Sequence, residues 1–231
     1  MRSIARLSSI LSHLTPKPNG NGTFGSAVQQ TRSIMSSGKP NASGLKPELS
    51  RSLPTRSPTD DEKPVLQALR DLYSCDPRSS SYAQYSESAT FHDPVSIASG
   101  LPKIRAQFNA LVALFPRSNI DKFNVLDTSA ASTTTTTTTT VKSDLLLVDQ
   151  DVTYYRSNED GAEPFKTMNS LLTIERDAQG RITRHTEEWN HNPVTDSDNS
   201  GFGGALNEAR KKAFAAISMP FVDQTPPAER K

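Results

Sequence analysis

The spacing of apolar residues predicts two amphipathic helices with a shorter helix between them. The first opens at Pro64, after acidic residues that suit a helix start, and the second runs between Pro102 and Pro116. Between them, Tyr82 and Tyr85 lie three residues apart and indicate a short helix. The two apolar stripes consist of Val65, Leu66, Leu69, Leu72 and Tyr73 in the first helix and of Ile104, Phe108, Leu111, Val112 and Phe115 in the second.

Alternating apolar and polar residues predict that most of the remaining chain forms β-strands. Ala89 to Phe91 suits a short strand, and KFNVLDTSA and DLLLVDQDVTYYRS suit two longer ones. The clearest hairpin is KTMNSLLTIERDAQGRITRHTEEW, whose turn from Asp177 to Gly180 suits a type I turn followed by a glycine bulge. Helices followed by antiparallel strands predict an α+β domain with the helices on one face of a curved sheet.

The register of this hairpin has two solutions. A three-residue bulged turn would place Thr173 opposite His185, whereas a slip of one residue would place Met168, Leu172 and Ile174 beside the histidine face. The sequence leaves both open. Under either one, the alternation of a strand puts His185, Glu187 and Trp189 on one face.

Composition divides the chain into three parts. Residues 1–60 are dominated by Ser, Pro, Gly, Asn, Thr and Arg, contain only two carboxylates, Glu48 and Asp60, and are predicted to be a disordered segment. Residues 61–220 are predicted to form one domain, with a mobile threonine-rich loop at 128–143 and a final helix from Leu206 to Ile217. Residues 221–231 are predicted to be a disordered tail.

The first fourteen residues have an amphipathic pattern of their own. Ile4, Leu7, Leu11 and Leu14 recur three and four residues apart, with arginines and serines but no acidic residue between them. This pattern is typical of a mitochondrial transit peptide. The alternative is an ordinary disordered tail, with translation starting at Met35 and a cytoplasmic protein.

Charge and cysteine usage exclude several classes of partner. The formal net charge is +1, and the interleaved signs after Asp60 leave no basic patch, so nucleic acid is not expected as a partner. Cys75 is the only cysteine, which rules out an intramolecular disulfide, and no Cys/His spacing suggests a zinc site. We expect no metal and no organic cofactor. No apolar run approaches the roughly 20 residues of a membrane span.

Four stretches carry a resemblance to a known family: the opening helix from Val65, YSESATFHDP, the helix from Pro102 to Phe115, and DAQGRITRHTEEW. Together they resemble the nuclear transport factor 2-like superfamily, which includes ketosteroid isomerases, scytalone dehydratases and SnoaL-like polyketide cyclases. The resemblance implies a cone-shaped α+β fold with three N-terminal helical segments packed on a strongly curved antiparallel sheet, plus a C-terminal helix. FHDPV, IRAQFNALVALFP and HTEEWNHNP resemble a branch found mainly in fungi.

Polar side chains that could carry chemistry lie at the corner after Phe91 and on the last predicted strand. Histidine transfers protons in either direction near neutral pH, so the catalytic candidates are His92, Asp93 and His185. The ligand-binding candidates are Tyr82, Tyr85, Arg105, Glu187 and Trp189. Most of these residues also have a structural interpretation. Asp93 would accept backbone amides at a corner, and His185 with Glu187 would form a surface pair. The aromatic residues would pack in the core, and Arg105 would be an exposed helix charge.

Two functions of different classes follow from these residues. The favoured hypothesis is a non-catalytic module that binds a small hydrophobic organic molecule or forms a homodimer through the sheet face. The alternative is a cofactor-independent lyase, isomerase or cyclase-like enzyme that uses His/Asp acid–base chemistry in the cone pocket. An enzyme would need at least two of the polar groups to face one cavity.

Overall fold

The computed structural model describes residues 39–129 and 145–194, which form four helices and six strands. The three predicted helical segments are present, but the short one ends at Tyr82, and Tyr85 begins a strand instead. Each of the two long helices has a proline in its first turn, where the missing amide hydrogen costs nothing. A further short helix precedes them. The helices are α1 (Pro47–Arg51), α2 (Lys63–Tyr73), α3 (Ser79–Tyr82) and α4 (Leu101–Leu114).

The strands form one curved sheet in the order β2-β1-β6-β5-β4-β3. The α+β fold class is therefore confirmed, but the sheet is not purely antiparallel, because β1 and β6 pair in parallel. These two strands are distant in sequence, so no hairpin fixes their relative direction. The strands are β1 (Tyr85–Asp93), β2 (Ser96–Ser99), β3 (Arg117–Val125), β4 (Leu146–Tyr155), β5 (Lys166–Arg176) and β6 (Ile182–Trp189).

The corner after Phe91 joins two strands rather than a strand and a helix. β1 continues to Asp93 and then pairs antiparallel with β2, so the chain makes a hairpin before it enters α4. The entrance to α4 is at Gly100, whose φ of 90° lies in the region that favours glycine.

The β5–β6 hairpin adopts the slipped register. Its turn is the predicted one, with Asp177 N donating to Arg181 O at 2.8 Å. A bulge then shifts the pairing between Glu175 and Arg176, so that Ile174 lies opposite His185. The extra residue, Thr183, donates its hydroxyl to the carbonyl of Glu175 at 3.2 Å.

The two faces of the sheet are both partly covered. On one face, α2 and α4 pack over the strands and build the main core around residues such as Leu69, Ile104 and Leu172. The opposite face carries a smaller apolar cluster, in which Leu45 packs with side chains from the sheet. The other members of this second cluster are Leu126, Leu145, Leu147 and Leu171, with Leu53 against its edge.

Residues 39–60, which the sequence analysis assigns to a disordered segment, are part of this fold. They contain α1, and Thr55 forms a β-bridge with Leu126. The backbone amide of Ala42 donates to both carboxylate oxygens of Glu188, at 3.0 and 2.9 Å. The composition of the segment is poor in apolar residues, but these long-range polar contacts and the packing of Leu45 hold it against the sheet.

A buried polar network fastens this segment to the sheet. The hydroxyl of Ser50 lies 2.8 Å from Nδ1 of His191, and Nε2 of His191 lies 3.2 Å from Oδ1 of Asp149. These are the residue types of a hydrolase triad, but Ser50 and His191 are both 0% exposed. A substrate cannot reach this serine, so the network is structural.

Several sequence predictions lie outside the described residues. They are the transit peptide, nearly all of the threonine-rich loop, the helix from Leu206 to Ile217 and the tail at 221–231. Within residues 39–129 and 145–194, no helix is long and apolar enough to cross a membrane.

Candidate functional site

A cavity lies between α4 and the face of the sheet that α2 and α4 cover. Its volume is about 30 Å³, which is enough for one or two water molecules. Apolar and aromatic side chains make most of the wall, and three polar side chains interrupt it. The lining residues are Tyr73, Phe91, Asp93, Gln107, Phe108, Ala110, Leu111, Leu114, Tyr154, Met168, Glu187 and Trp189.

Glu187 is the carboxylate that β6 presents to this cavity. The Tyr73 hydroxyl donates to its Oε2 at 2.8 Å, and the Trp189 indole donates to its Oε1 at 3.2 Å. Burial, and next the charge of Glu187, raise the pKa of Tyr73 well above its usual value. Tyr73 therefore stays protonated and holds the carboxylate in a fixed orientation.

His185 lies behind the cavity wall rather than in it. The side chain is 0% exposed, and burial lowers its pKa to about 3, so that the ring is neutral at physiological pH. The Tyr85 hydroxyl lies 2.9 Å from Nδ1, and the Tyr73 hydroxyl lies 3.3 Å from Nε2. Because the Tyr73 hydroxyl already donates its hydrogen bond to Glu187, it can only accept from His185, so the geometry assigns Nε2 as the protonated nitrogen and Tyr85 as the donor to Nδ1.

Asp93 stabilises the corner between β1 and β2 and also lines the cavity. Its Oδ1 accepts the backbone amides of Val95 and Ser96 at 2.9 and 2.8 Å, as expected of a corner aspartate. The side chain is also part of the cavity lining. Asp93 is therefore a structural residue that adds a second acidic group to the wall.

Gln107 on α4 brings an unsatisfied acceptor to the same wall. Its amide nitrogen donates to the Ser96 hydroxyl at 2.8 Å. Its Oε1 is buried and has no hydrogen-bond partner among the described residues, although Gln107 is only 6% exposed. A buried acceptor of this kind is uncommon and calls for a donor that the described residues do not supply.

The structure does not bring the three catalytic candidates together. His92 is half-buried and lies on the opposite face of β1 from Phe91 and Asp93, because side chains alternate along a strand. Partial burial lowers the pKa of His92, against the charge of Asp93, which raises it. Of the trio His92, Asp93 and His185, only Asp93 lines the cavity.

Only two of the five ligand-binding candidates line the cavity. Glu187 and Trp189 line the cavity, whereas Tyr85 contacts His185 behind it. The Tyr82 hydroxyl donates to Asn109 at 2.8 Å, and the Arg105 guanidinium lies 5.4 Å from the centre of the Tyr82 ring. Tyr82 and Arg105 are absent from the cavity lining and pack α3 against α4.

Nine of the twelve lining residues were not among the sequence-based candidates, and for three of these nine the sequence held a signal or an open alternative. Tyr73 was assigned only to the apolar stripe of α2, although a hydroxyl on a core-facing aromatic needs a buried partner. Gln107 interrupts the apolar side of α4, and a polar residue at such a position was an available signal. Met168 depended on the register of the hairpin, which the sequence left open.

The described residues show no cluster suited to a metal ion. Within residues 39–129 and 145–194, His, Cys, Asp and Glu form no group of three or more that could hold one. The buried network on the opposite face of the sheet pairs His191 with one carboxylate only.

Comparisons with known proteins reveal similarity in structure but not in sequence. No protein-family model and no curated protein sequence matches the chain. A steroid delta-isomerase from Pseudomonas aeruginosa is 14% identical and covers 72% of this chain and 98% of its own, with a TM-score of 0.46. A phenazine biosynthesis-related protein of the same organism is 14% identical and covers 62% of this chain and 86% of its own, with a TM-score of 0.37.

A third similar structure is a nuclear transport factor 2-like protein with a cystatin-like fold from Novosphingobium aromaticivorans. It is 15% identical and covers 64% of this chain and 88% of its own, with a TM-score of 0.39. At these identities and TM-scores, the similarity concerns the fold and carries no statement about ligand or activity.

Proposed function

We propose that the protein binds a small, mainly apolar organic molecule in the cavity between α4 and the sheet. The observation that carries this proposal is the buried Oε1 of Gln107, an acceptor without a partner among the described residues, in the wall of an otherwise largely apolar cavity. A ligand that places a donor there would satisfy it and bury its own apolar surface against the rings around it.

The cavity must widen to accept such a molecule. Its present volume of about 30 Å³ is too small for an organic ligand. Leu111 and Leu114 line it from the last turns of α4 and are only partly buried. Rotation of these two side chains is the least costly way to open it, because neither is locked in the fully packed core.

The geometry favours binding over the proposed acid–base chemistry. A catalytic pair would have to meet at one substrate atom, and two of the three candidates, His92 and His185, do not line the cavity.

The homodimer through the sheet face stays a prediction, and Leu45 with its neighbouring residues covers part of that face. Mitochondrial localisation and membership of a mainly fungal branch also stay predictions.

The fluorescence of Trp189 tests the proposal. This residue is the only tryptophan of the chain and lines the cavity, so its emission reports directly on a ligand there. We expect benzyl alcohol to change the emission with a saturable dependence on concentration. Replacing Gln107 by Leu should weaken binding by about five- to tenfold, the effect of one lost hydrogen bond.

The matched control is Gln67→Leu, which removes an exposed glutamine of α2 that bonds to Asp71. We expect the control to bind benzyl alcohol as the wild type does. The proposal fails if the wild type gives no saturable change, or if Gln107→Leu and Gln67→Leu bind with the same affinity.

A further inference from the structure

We propose that the ligand of this cavity is an organic cation, a protonated amine or quaternary ammonium on a small apolar group. The inference rests on the proposed function and adds the charge of the ligand to it. Three features of the wall support it: its acidic side chains, its aromatic rings and its hydrogen-bond acceptors.

The charged side chains of the wall are all acidic. Asp93 and Glu187 line the cavity and are 2% and 8% exposed, and none of the described lining residues is a lysine, an arginine or a histidine. His185, directly behind the wall, contributes no positive charge at neutral pH because burial lowers its pKa to about 3. Carboxylates in the wall attract a cation and repel an anion.

Hydrogen bonds hold both carboxylates in place before any ligand arrives. Tyr73 and Trp189 donate to the two oxygens of Glu187, and two backbone amides donate to Oδ1 of Asp93. The two carboxylates therefore belong to the rigid part of the site and need little reorganisation when a cation binds.

The apolar part of the wall contains several aromatic rings. Five of the twelve lining residues carry one, and several rings are in mutual contact: Phe91 and Phe108 have centroids 5.2 Å apart, and Tyr73 and Phe108 have centroids 5.8 Å apart. The faces of such rings attract cations, most strongly when the site excludes water. The five are Tyr73, Phe91, Phe108, Tyr154 and Trp189.

The acceptors match an ammonium group better than a hydroxyl group. The oxygen of Gln107 is buried without a hydrogen-bond partner among the described residues, and the carboxylates of Asp93 and Glu187 belong to the same wall. An ammonium group supplies up to three donors and a positive charge, whereas a hydroxyl group supplies one donor. Charge-assisted hydrogen bonds are also roughly twice as strong as neutral ones.

A series of three probes with one ring and different charges tests this inference. Benzylamine, benzyl alcohol and benzoate are similar in size and are cationic, neutral and anionic at pH 7. We expect the emission of Trp189 to show that benzylamine binds about tenfold more tightly than benzyl alcohol and that benzoate binds most weakly. In Glu187→Gln, the difference between benzylamine and benzyl alcohol should shrink to less than about threefold.

The control variant is Glu87→Gln, which removes an exposed carboxylate of β1 and should keep the tenfold preference. If Glu187→Gln does not fold, the affinities of the wild type for the three probes alone decide whether the ligand is a cation. Benzyl alcohol or benzoate binding as tightly as benzylamine would overturn the inference about charge and leave the proposed function intact. No saturable change with any of the three probes would overturn both.

Discussion

Acidification from pH 7.5 to pH 4.5 is expected to remove about 3 kcal/mol of unfolding free energy through His185 alone. The pKa of this histidine is lowered from 6.5 to about 3 in the folded protein, and burial is the cause. Below pH 6.5 the unfolded chain takes up a proton that the folded protein does not, so stability falls as the pH falls. The loss continues until the pH approaches 3.

The His185→Gln variant isolates this contribution. Urea unfolding of wild type and variant at pH 7.5, 6 and 4.5 gives the difference in unfolding free energy at each pH, in which the contributions of unchanged groups cancel. This difference should shift by about 3 kcal/mol in favour of the variant on acidification. His92→Gln, at a half-buried histidine, should shift much less. Equal shifts in the two variants would contradict the assignment of His185 as a buried neutral ring.

Glu188, on the other face of β6, has the second large effect on the pH dependence of stability. Its effect is opposite in sign, because it lowers the unfolding free energy as the pH rises. Burial raises the pKa of this carboxyl group from 4.5 to about 7, against the backbone hydrogen bond from Ala42, which lowers it. Above pH 4.5 the unfolded chain releases a proton that the folded protein retains. Glu188 therefore costs stability as the pH rises from 4.5 to 7, by about 3 kcal/mol at pH 8.

Glu188→Gln removes this cost and keeps an acceptor for the amide of Ala42. We expect the variant to gain about 3 kcal/mol relative to wild type between pH 4.5 and pH 8, measured by the same urea titrations. The exposed Glu87→Gln should change little over this range. A Glu188→Gln variant that loses stability relative to wild type as the pH rises would show that this carboxyl group is not buried as described. Between pH 4.5 and 6.5 the contributions of His185 and Glu188 cancel in the wild type.

Local pattern was sufficient to predict the elements that frame the site. The spacing of Leu66, Leu69 and Leu72 identified α2, and the proline-bounded apolar stripe identified α4, because the period of a helix is visible within a few turns. Alternation placed Glu187 and Trp189 on one face of β6, and both line the cavity. The side of β6 that faces the cavity depended on the bulge at Thr183, which no local signal specified.

Long-range contacts account for the parts that could not be predicted. The segment from residue 39 is held by contacts such as that of Ala42 with Glu188, 146 residues away, and composition alone cannot reveal them. The sequence pattern predicts a first strand that ends at Phe91. Because β1 in fact continues through Asp93, alternation turns His92 away from Asp93 and separates two candidates that are adjacent in sequence.

The central claim, that a small organic molecule occupies the cavity between α4 and the sheet, is tested most directly by NMR on the full chain with labelled methionine methyl groups. Met168 is one of four methionines and lines the cavity. With benzylamine bound, we predict intermolecular nuclear Overhauser effects between its ring protons and the ε-methyl group of Met168. Saturable binding of benzylamine that gives no such effect at Met168 would place the ligand elsewhere and contradict the claim.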